Sequence, residues 1–346
     1  RKMAAQRICM ACLLAGAVAR PQIRNVGPKS IFTRVSMKHS ALRKFSTRAQ
    51  DSPLSENPLF GNIAGFYDSL SGIWEREYGE HMHHGYYRQG AEDVSVQQAQ
   101  IVLMEETAKL GGIAELAKSI KEKEGRPIRI LDVGCGIGGA SRWLAETFDA
   151  EVTGITLSPK QVQRAKELAE IKGLSEQTDF KVANVLDSGL PDNEFDVVWS
   201  LEMAEHIPER ERFLSEIHRM LDKSHGRLAM VTWCKKKGML ELDEDLALNY
   251  ICEWYNLPPW VSKERWASLA PAAGFKPTTP DDWSPYIRPM QFWGDILLTS
   301  LQPKNLFGLI AIGDSGVKAG AAAVLMGYGF YKNFIEFGAM RMDVAE

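Results

Sequence analysis

The stretch "ILDVGCGIGGAS", residues 130–141, constrains the fold of this chain more than any other. It begins as a short β-branched run, "IRILDVG" (128–134), passes through glycines at alternate positions, and continues into the helical pattern "ASRWLAETF". A strand that turns through glycines into a helix is the opening unit of a parallel α/β sheet. The alternation then repeats. "EVTGITLS", "TDFKVANV", "FDVVWS" and "GRLAMVTWC" read as strands, and "RERFLSEIHRML" as an amphipathic helix between two of them. "PKQVQRAKELAEIKG" opens on Pro159 and closes on Gly173, which is the punctuation of a helix. Short apolar strands separated by helices of this length predict a parallel sheet covered on both faces. After Cys234 the character changes to Trp- and Pro-containing helical stretches, with one strand predicted at "GFKPTT" (274–279) and a closing strand at "EFGAMRMDVA" (336–345).

Gly134, Gly136 and Gly139 satisfy G-x-G-x-x-G, which by itself admits a dinucleotide site. Two residues argue against a dehydrogenase. Asp132 stands two places before the first glycine, and the next strand ends in Thr156 where an acid would hold an NAD ribose. The spacing D-x-G-x-G-x-G instead resembles motif I of class I S-adenosylmethionine (SAM) methyltransferases. SAM carries no phosphate, so the glycines serve to let the backbone approach ribose and methionine closely. Asp132 can accept hydrogen bonds from backbone or from the ligand's ammonium group. "PDNEFDVVWSLEMAEHI" (191–207) resembles the fourth-strand motif of the same superfamily and "GRLAMVTW" (226–233) the fifth.

"GITLSPKQVQRA" is similar to one branch, in which Thr156, Leu157 and Gln161 replace the usual ribose-binding acid. "IAGFYDSLSGIWEREYGEHMHHGYY" (63–87) and "DDWSPYIRPMQFW" (281–293) resemble the N-terminal segment and the C-terminal substrate region of plant and algal γ-tocopherol methyltransferases. The resemblance runs from about residue 60 to the end. It implies a Rossmann-like α/β fold with a mostly parallel seven-stranded sheet, an N-terminal helical lid over 56–125, a SAM-binding core over 126–239, and a helical substrate region with closing strands over 240–346. It also implies a cofactor set of Asp132, Gly134, Cys135, Gly136, Gly138, Thr156, Leu157, Gln161, Asn184, Val185, Ser200 and Tyr67. Asn184 stands where an Asp is usual, and its amide carbonyl can still accept from the adenine amino group.

"GEHMHHGYY" (79–87) packs three histidines into four positions and first suggests a metal. Adjacent histidines in an extended segment point apart, and no cysteine or second histidine pair lies nearby, so no metal site is expected. On the resemblance, these residues line the mouth of the site. A tocopherol-type acceptor is methylated on a ring carbon ortho to a phenol of pKa near 10. A base that draws off the phenolic proton raises electron density at that carbon, and histidine suits this. His206, His83 and His84 are the candidate bases, with Glu80 and Glu205 as acids able to orient them. Tyr67, Tyr86, Tyr87 and Trp74 are candidate aromatic walls around the sulfonium. The plainer alternatives are histidines bonded to backbone and aromatic rings in ordinary packing.

Composition bounds the rest. With 45% apolar residues, 25% charged residues and net charge −3, nothing indicates a nucleic-acid partner. Positions 1–50, however, hold eleven Lys or Arg and no acid. A twelve-residue apolar run, "ICMACLLAGAVA" (8–19), precedes a basic stretch containing Ser and Thr. Residues 1–55 therefore read as a two-part plastid presequence, with mitochondrial import as the alternative. Cys9 and Cys12 fall inside it, and Cys135, Cys234 and Cys252 are scattered as free thiols would be. "NLFGLIAI" and "AGAAAVLMGYGFY" (319–331) are apolar enough for a prenyl groove, a packed helix or a peripheral membrane contact. The expected partner is a small hydrophobic aromatic substrate; the oligomeric state is left open. An N-methyltransferase on the same scaffold stays in play, as do a non-catalytic SAM-binding protein and an NAD-dependent dehydrogenase.

Overall fold

The structure, a computed structural model, describes residues 61–63, 65, 75–88, 94–287, 292, 294, 298–299, 302 and 314–345. The expected presequence, Tyr67 and Trp74 lie outside them. Two helices, α1 (Val96–Gly111) and α2 (Ile113–Glu124), precede an alternating series: β1 (Arg129–Val133), α3 (Gly139–Phe148), β2 (Glu151–Thr156), α4 (Pro159–Lys172) and β3 (Thr178–Val182). There follow β4 (Val197–Leu201), α5 (Arg210–Met220), β5 (Arg227–Lys235), α6 (Leu242–Trp254) and α7 (Lys263–Leu269). The chain closes with β6 (Asp281–Asp282), α8 (Ser284–Ile287), α9 (Asp314–Tyr331) and β7 (Ile335–Asp343). The sheet order is β3-β2-β1-β4-β5-β7-β6. β1 to β5 run parallel, and β7 is antiparallel to both β5 and β6. This is the seven-stranded, mostly parallel architecture the resemblance implied.

Period-two alternation assigns each strand residue to a face. Val198, Leu228, Met230, Met340 and Met342 face Phe213, Leu214 and Ile217 of α5 and Trp266 of α7. Val197, Trp199, Ala229, Val231, Phe337 and Ala339 face Leu103 and Met104 of α1, Ile113 and Leu116 of α2, and Leu144 of α3. Both faces are covered, which is why every residue of β4 is buried, four of its five being apolar. Each large side chain buried this way contributes about 1.5–3 kcal/mol. α6 and α9 form a third apolar body with Leu248, Ile251, Met326, Phe330, Phe334 and Trp260. No helix among the described residues is long and apolar enough to cross a membrane.

The strand predicted at "GFKPTT" is a correction. Only Phe275 forms a bridge, to Val344, and the paired residues are Asp281 and Asp282 further on. The segment does run beside β7, because the Lys276 amide donates to Asp343 O at 2.8 Å and Thr278 Oγ1 to Arg341 O at 2.6 Å. Pro277 and Pro280 supply no amide hydrogens, so a regular ladder cannot form until both are passed.

Candidate active site

The carboxyl ends of β1, β2, β3 and β4 open onto one cavity of about 130 Å³. Open parallel sheets place their ligands at this edge. After β1 the chain reverses sharply, with the Gly134 and Cys135 amides both donating to Ile155 O at 2.9 and 3.0 Å. Gly134 has φ +78°, and a Cβ there would overlap the Met203 side chain. Gly136, at φ +54°, would point a Cβ toward the cavity, with only Met82 Sδ within contact range. The glycines therefore leave a backbone cradle that a side chain would fill.

Asp132 sits at the floor of this cradle, 3% exposed, and accepts from Ser141 Oγ at 2.5 Å. Burial pushes its carboxyl up to about 6, against the opposing pull of the Ser141 hydrogen bonds. At the end of β2, Thr156 Oγ1 donates to Gln161 Oε1 at 2.7 Å. Ser158 caps α4 by accepting from the Gln161 amide at 3.0 Å, which fixes that residue at the cavity rim. Asn184 Oδ1 accepts from Leu186 N at 3.0 Å and caps a short 3-10 turn over Val185–Asp187. A second lone pair on that oxygen remains for a ligand.

The other wall is the segment 79–88. Glu80 accepts from Lys172 Nζ at 2.6 Å and from the buried Arg142 guanidinium. Burial raises the Glu80 pKa, but those two cations outweigh it and hold the carboxyl below its ordinary value. Arg142 also donates to Ile137 O at 2.7 Å, so Glu80 ties segment 79–88 to the glycine loop. His83 is 7% exposed and lines the cavity. Its Nδ1 lies 2.8 Å from His84 O, and a carbonyl can only accept, so Nδ1 carries the hydrogen and Nε2 the lone pair. Nε2 is buried and has no partner among the described residues. Burial lowers the His83 pKa, with the Glu202 charge opposing, so the ring is neutral near pH 7.

His84 turns the opposite way. Its Nδ1 and backbone amide both donate to Glu202, each at 2.6 Å, and its ring packs 4.2 Å from Phe292. Glu202 also accepts from Trp233 Nε1 at 2.9 Å, and it holds a left-handed φ of +50° at the end of β4. With three donors around it, the His84 charge and hydrogen bonds overcome the burial that would raise its pKa, and Glu202 stays ionised.

The cavity wall brings together twelve of the expected residues: Glu80, His83, Asp132, Gly134, Cys135, Gly136, Thr156, Leu157, Gln161, Asn184, Val185 and His206. Burial holds His206 at about 4. His84, Glu205, Gly138 and Ser200 do not line the cavity. Glu205 points at Thr232, whose Oγ1 donates to it at 2.7 Å, and burial with the Glu202 charge pushes it up to about 8. Gly138 instead starts α3 at φ +77°. Tyr86 stacks on Tyr286 at 4.8 Å, and neither Tyr86 nor Tyr87 lines the cavity. Among the cavity residues that sequence reasoning missed are His81, Met82, Trp199, Glu202 and Met203. Among the described residues no cluster of three His, Cys, Asp or Glu is placed to hold a metal.

The wall suits a cationic nucleoside. None of its described residues is Lys or Arg, so no cationic side chain on the wall opposes a sulfonium. It offers a buried carboxyl, a glycine cradle, and two residues, Trp199 and His83, whose buried Nε1 and Nε2 have no partner among the described residues. Fold and cavity together define a class I SAM-dependent methyltransferase. A methyltransferase-domain family matches residues 131–230. The tocopherol O-methyltransferase, chloroplastic, of Arabidopsis thaliana is 36% identical over 293 residues, covering 82% of each chain. The ajmaline N-methyltransferase of Rauvolfia serpentina is 37% identical over 169 residues, covering 46% of this chain and 53% of that one. A putative sarcosine dimethylglycine methyltransferase from Galdieria sulphuraria shares the fold, with TM-score 0.68 and 20% identity over 81% of this chain and 98% of that one. The chain belongs to the tocopherol methyltransferase family.

Proposed function

We propose that the chain methylates a tocopherol on the ring carbon ortho to its phenol, γ to α and δ to β, inside a plastid reached through residues 1–55. The observation that carries this reading is His83, a residue that lines the cavity and whose buried acceptor nitrogen Nε2 has no partner among the described residues. A phenolic O–H is the group it is fitted to receive. The small hydrophobic acceptor would place its ring between His83 and His206 and its tail toward the apolar body of α6 and α9.

SAM supplies an electrophilic methyl on sulfonium sulfur. The chain's residues do the rest. Asp132 binds the ammonium group, the glycine cradle and Gln161 position the nucleoside, and the lid segment excludes water. His83 Nε2 accepts the phenolic proton as the ortho carbon bonds the methyl and the methyl–sulfur bond breaks. The Glu202 carboxylate beside it offsets the charge that His83 gains. His206, on the same wall, takes the ring hydrogen as a proton when aromaticity is restored, and His83 returns its proton to the phenolate oxygen, so the phenol is regenerated and one proton leaves overall. A positioned base of this kind contributes about 10²–10⁴ in rate, and alignment for in-line displacement several kcal/mol more.

The test is incubation with isotopically labelled methyl donor and separate panels of tocopherols and amines. Label in the tocopherols supports the reading. Label in the amines alone would transfer the assignment to N-methylation, in which a neutral amine attacks without a base.

A further inference from the structure

Segment 79–88 follows a short helical turn and forms no regular secondary structure itself, yet it carries His83, which lines the cavity. What holds it comes from α1. Gln100, fully buried, donates its amide hydrogens to His81 O and His83 O, each at 2.8 Å. One residue earlier, Ala99 O accepts from the Tyr86 amide at 2.8 Å, and Gly85 lies so close to Ala99 that a Cβ there would overlap it. α1 is itself rigidly set, by the Ser95–Gln98 capping box and by Leu103 and Met104 in the core.

The geometry points to Gln100 as the positioning residue that aims His83 at the methyl acceptor. The inference rests on the reading of His83 as the base. Carbonyls two residues apart face the same way in an extended segment, so a single NH₂ group can hold both. Two carbonyls can be served only by the amide nitrogen, which settles the amide's orientation. Gln100 Oε1 is left buried and without a partner among the described residues. A group that leaves an acceptor unsatisfied in the interior is a poor device for stability, and its value lies in position. The His83 backbone is gripped at its carbonyl by Gln100 and its ring at Nδ1 by His84 O, which fixes the orientation of a ring that lines the cavity. Glu202 fixes the following residue from the opposite side.

The experiment is a double-mutant cycle in the full chain with Gln100→Met, His83→Ala and the double variant, measuring turnover with labelled donor and tocopherol and cofactor Kd by calorimetry. Gln100→Met is expected to lower turnover at saturating substrates tenfold or more, with cofactor Kd within threefold. In the His83→Ala background the same substitution should cost less than twofold. Equal losses in both backgrounds, or turnover and cofactor affinity falling in step, overturn the proposal. Unchanged turnover in His83→Ala alone overturns the base reading instead. If Gln100→Met does not fold, Gln100→Glu decides. Its carboxyl regains a donor only when protonated, so its turnover relative to wild type should rise as pH falls, and a flat ratio overturns the proposal. Failure of both variants to fold makes Gln100 a folding residue and equally overturns it.

Discussion

Glu202→Gln perturbs the junction that anchors segment 79–88 at His84. The side chain is 4% exposed and accepts from three donors, the His84 amide and Nδ1 at 2.6 Å each and Trp233 Nε1 at 2.9 Å. A glutamine presents one oxygen and one NH₂. With the oxygen turned toward Nδ1 and the indole, the NH₂ meets the His84 amide; with the amide flipped, it meets the other two donors. At least one buried donor is left unsatisfied, which costs about 1–3 kcal/mol, and the surviving bonds lose their charge-assisted strength. A total of about 2–4 kcal/mol corresponds to a fall in Tm of roughly 3–6 °C for a chain of this size. Turnover should fall with it, because His84 is the neighbour whose carbonyl holds the His83 ring. Thermal unfolding with parallel kinetics at neutral pH checks both. A variant that melts within about 1 °C of wild type and turns over normally would refute the reasoning.

Two further outcomes follow from buried carboxylates. Asp132 is ionised only above about 6, so SAM affinity measured by calorimetry should weaken as pH falls through that value, and Asp132→Asn should remove the dependence while weakening binding at pH 7. Glu205 is raised from 4.5 to about 8, so the folded chain favours its protonated form. Its contribution to stability is full below about 4.5 and is lost as pH rises to about 8, so Glu205→Gln should flatten the decline in Tm over that window.

The glycine turn and its acid were legible because each depends on local backbone geometry. Gly134 needs its φ of +78°, and Asp132 needs only to end a strand. The alternation of short apolar runs with helices likewise reports a sheet buried on both faces. What sequence could not show were pairings made only in three dimensions. Glu205 and His206 are adjacent in sequence and invite a pairing, but the 3-10 turn at Ala204–His206 sends one to Thr232 and the other into the cavity. The actual partner of the histidine run, Glu202, lies 118 residues from His84. Its only sequence signal was its place just beyond a strand, at the sheet edge where ligands bind. Gln100, at the centre of an ordinary helical pattern, gave no signal at all.

The most direct measurement is the position of the transferred methyl, determined by NMR and mass spectrometry of the product formed from γ-tocopherol and labelled SAM. With His83 taking the phenolic proton as the ortho carbon attacks, the label should sit on ring carbon and the phenol should stay free. Label on oxygen, as a methyl ether, would contradict the account.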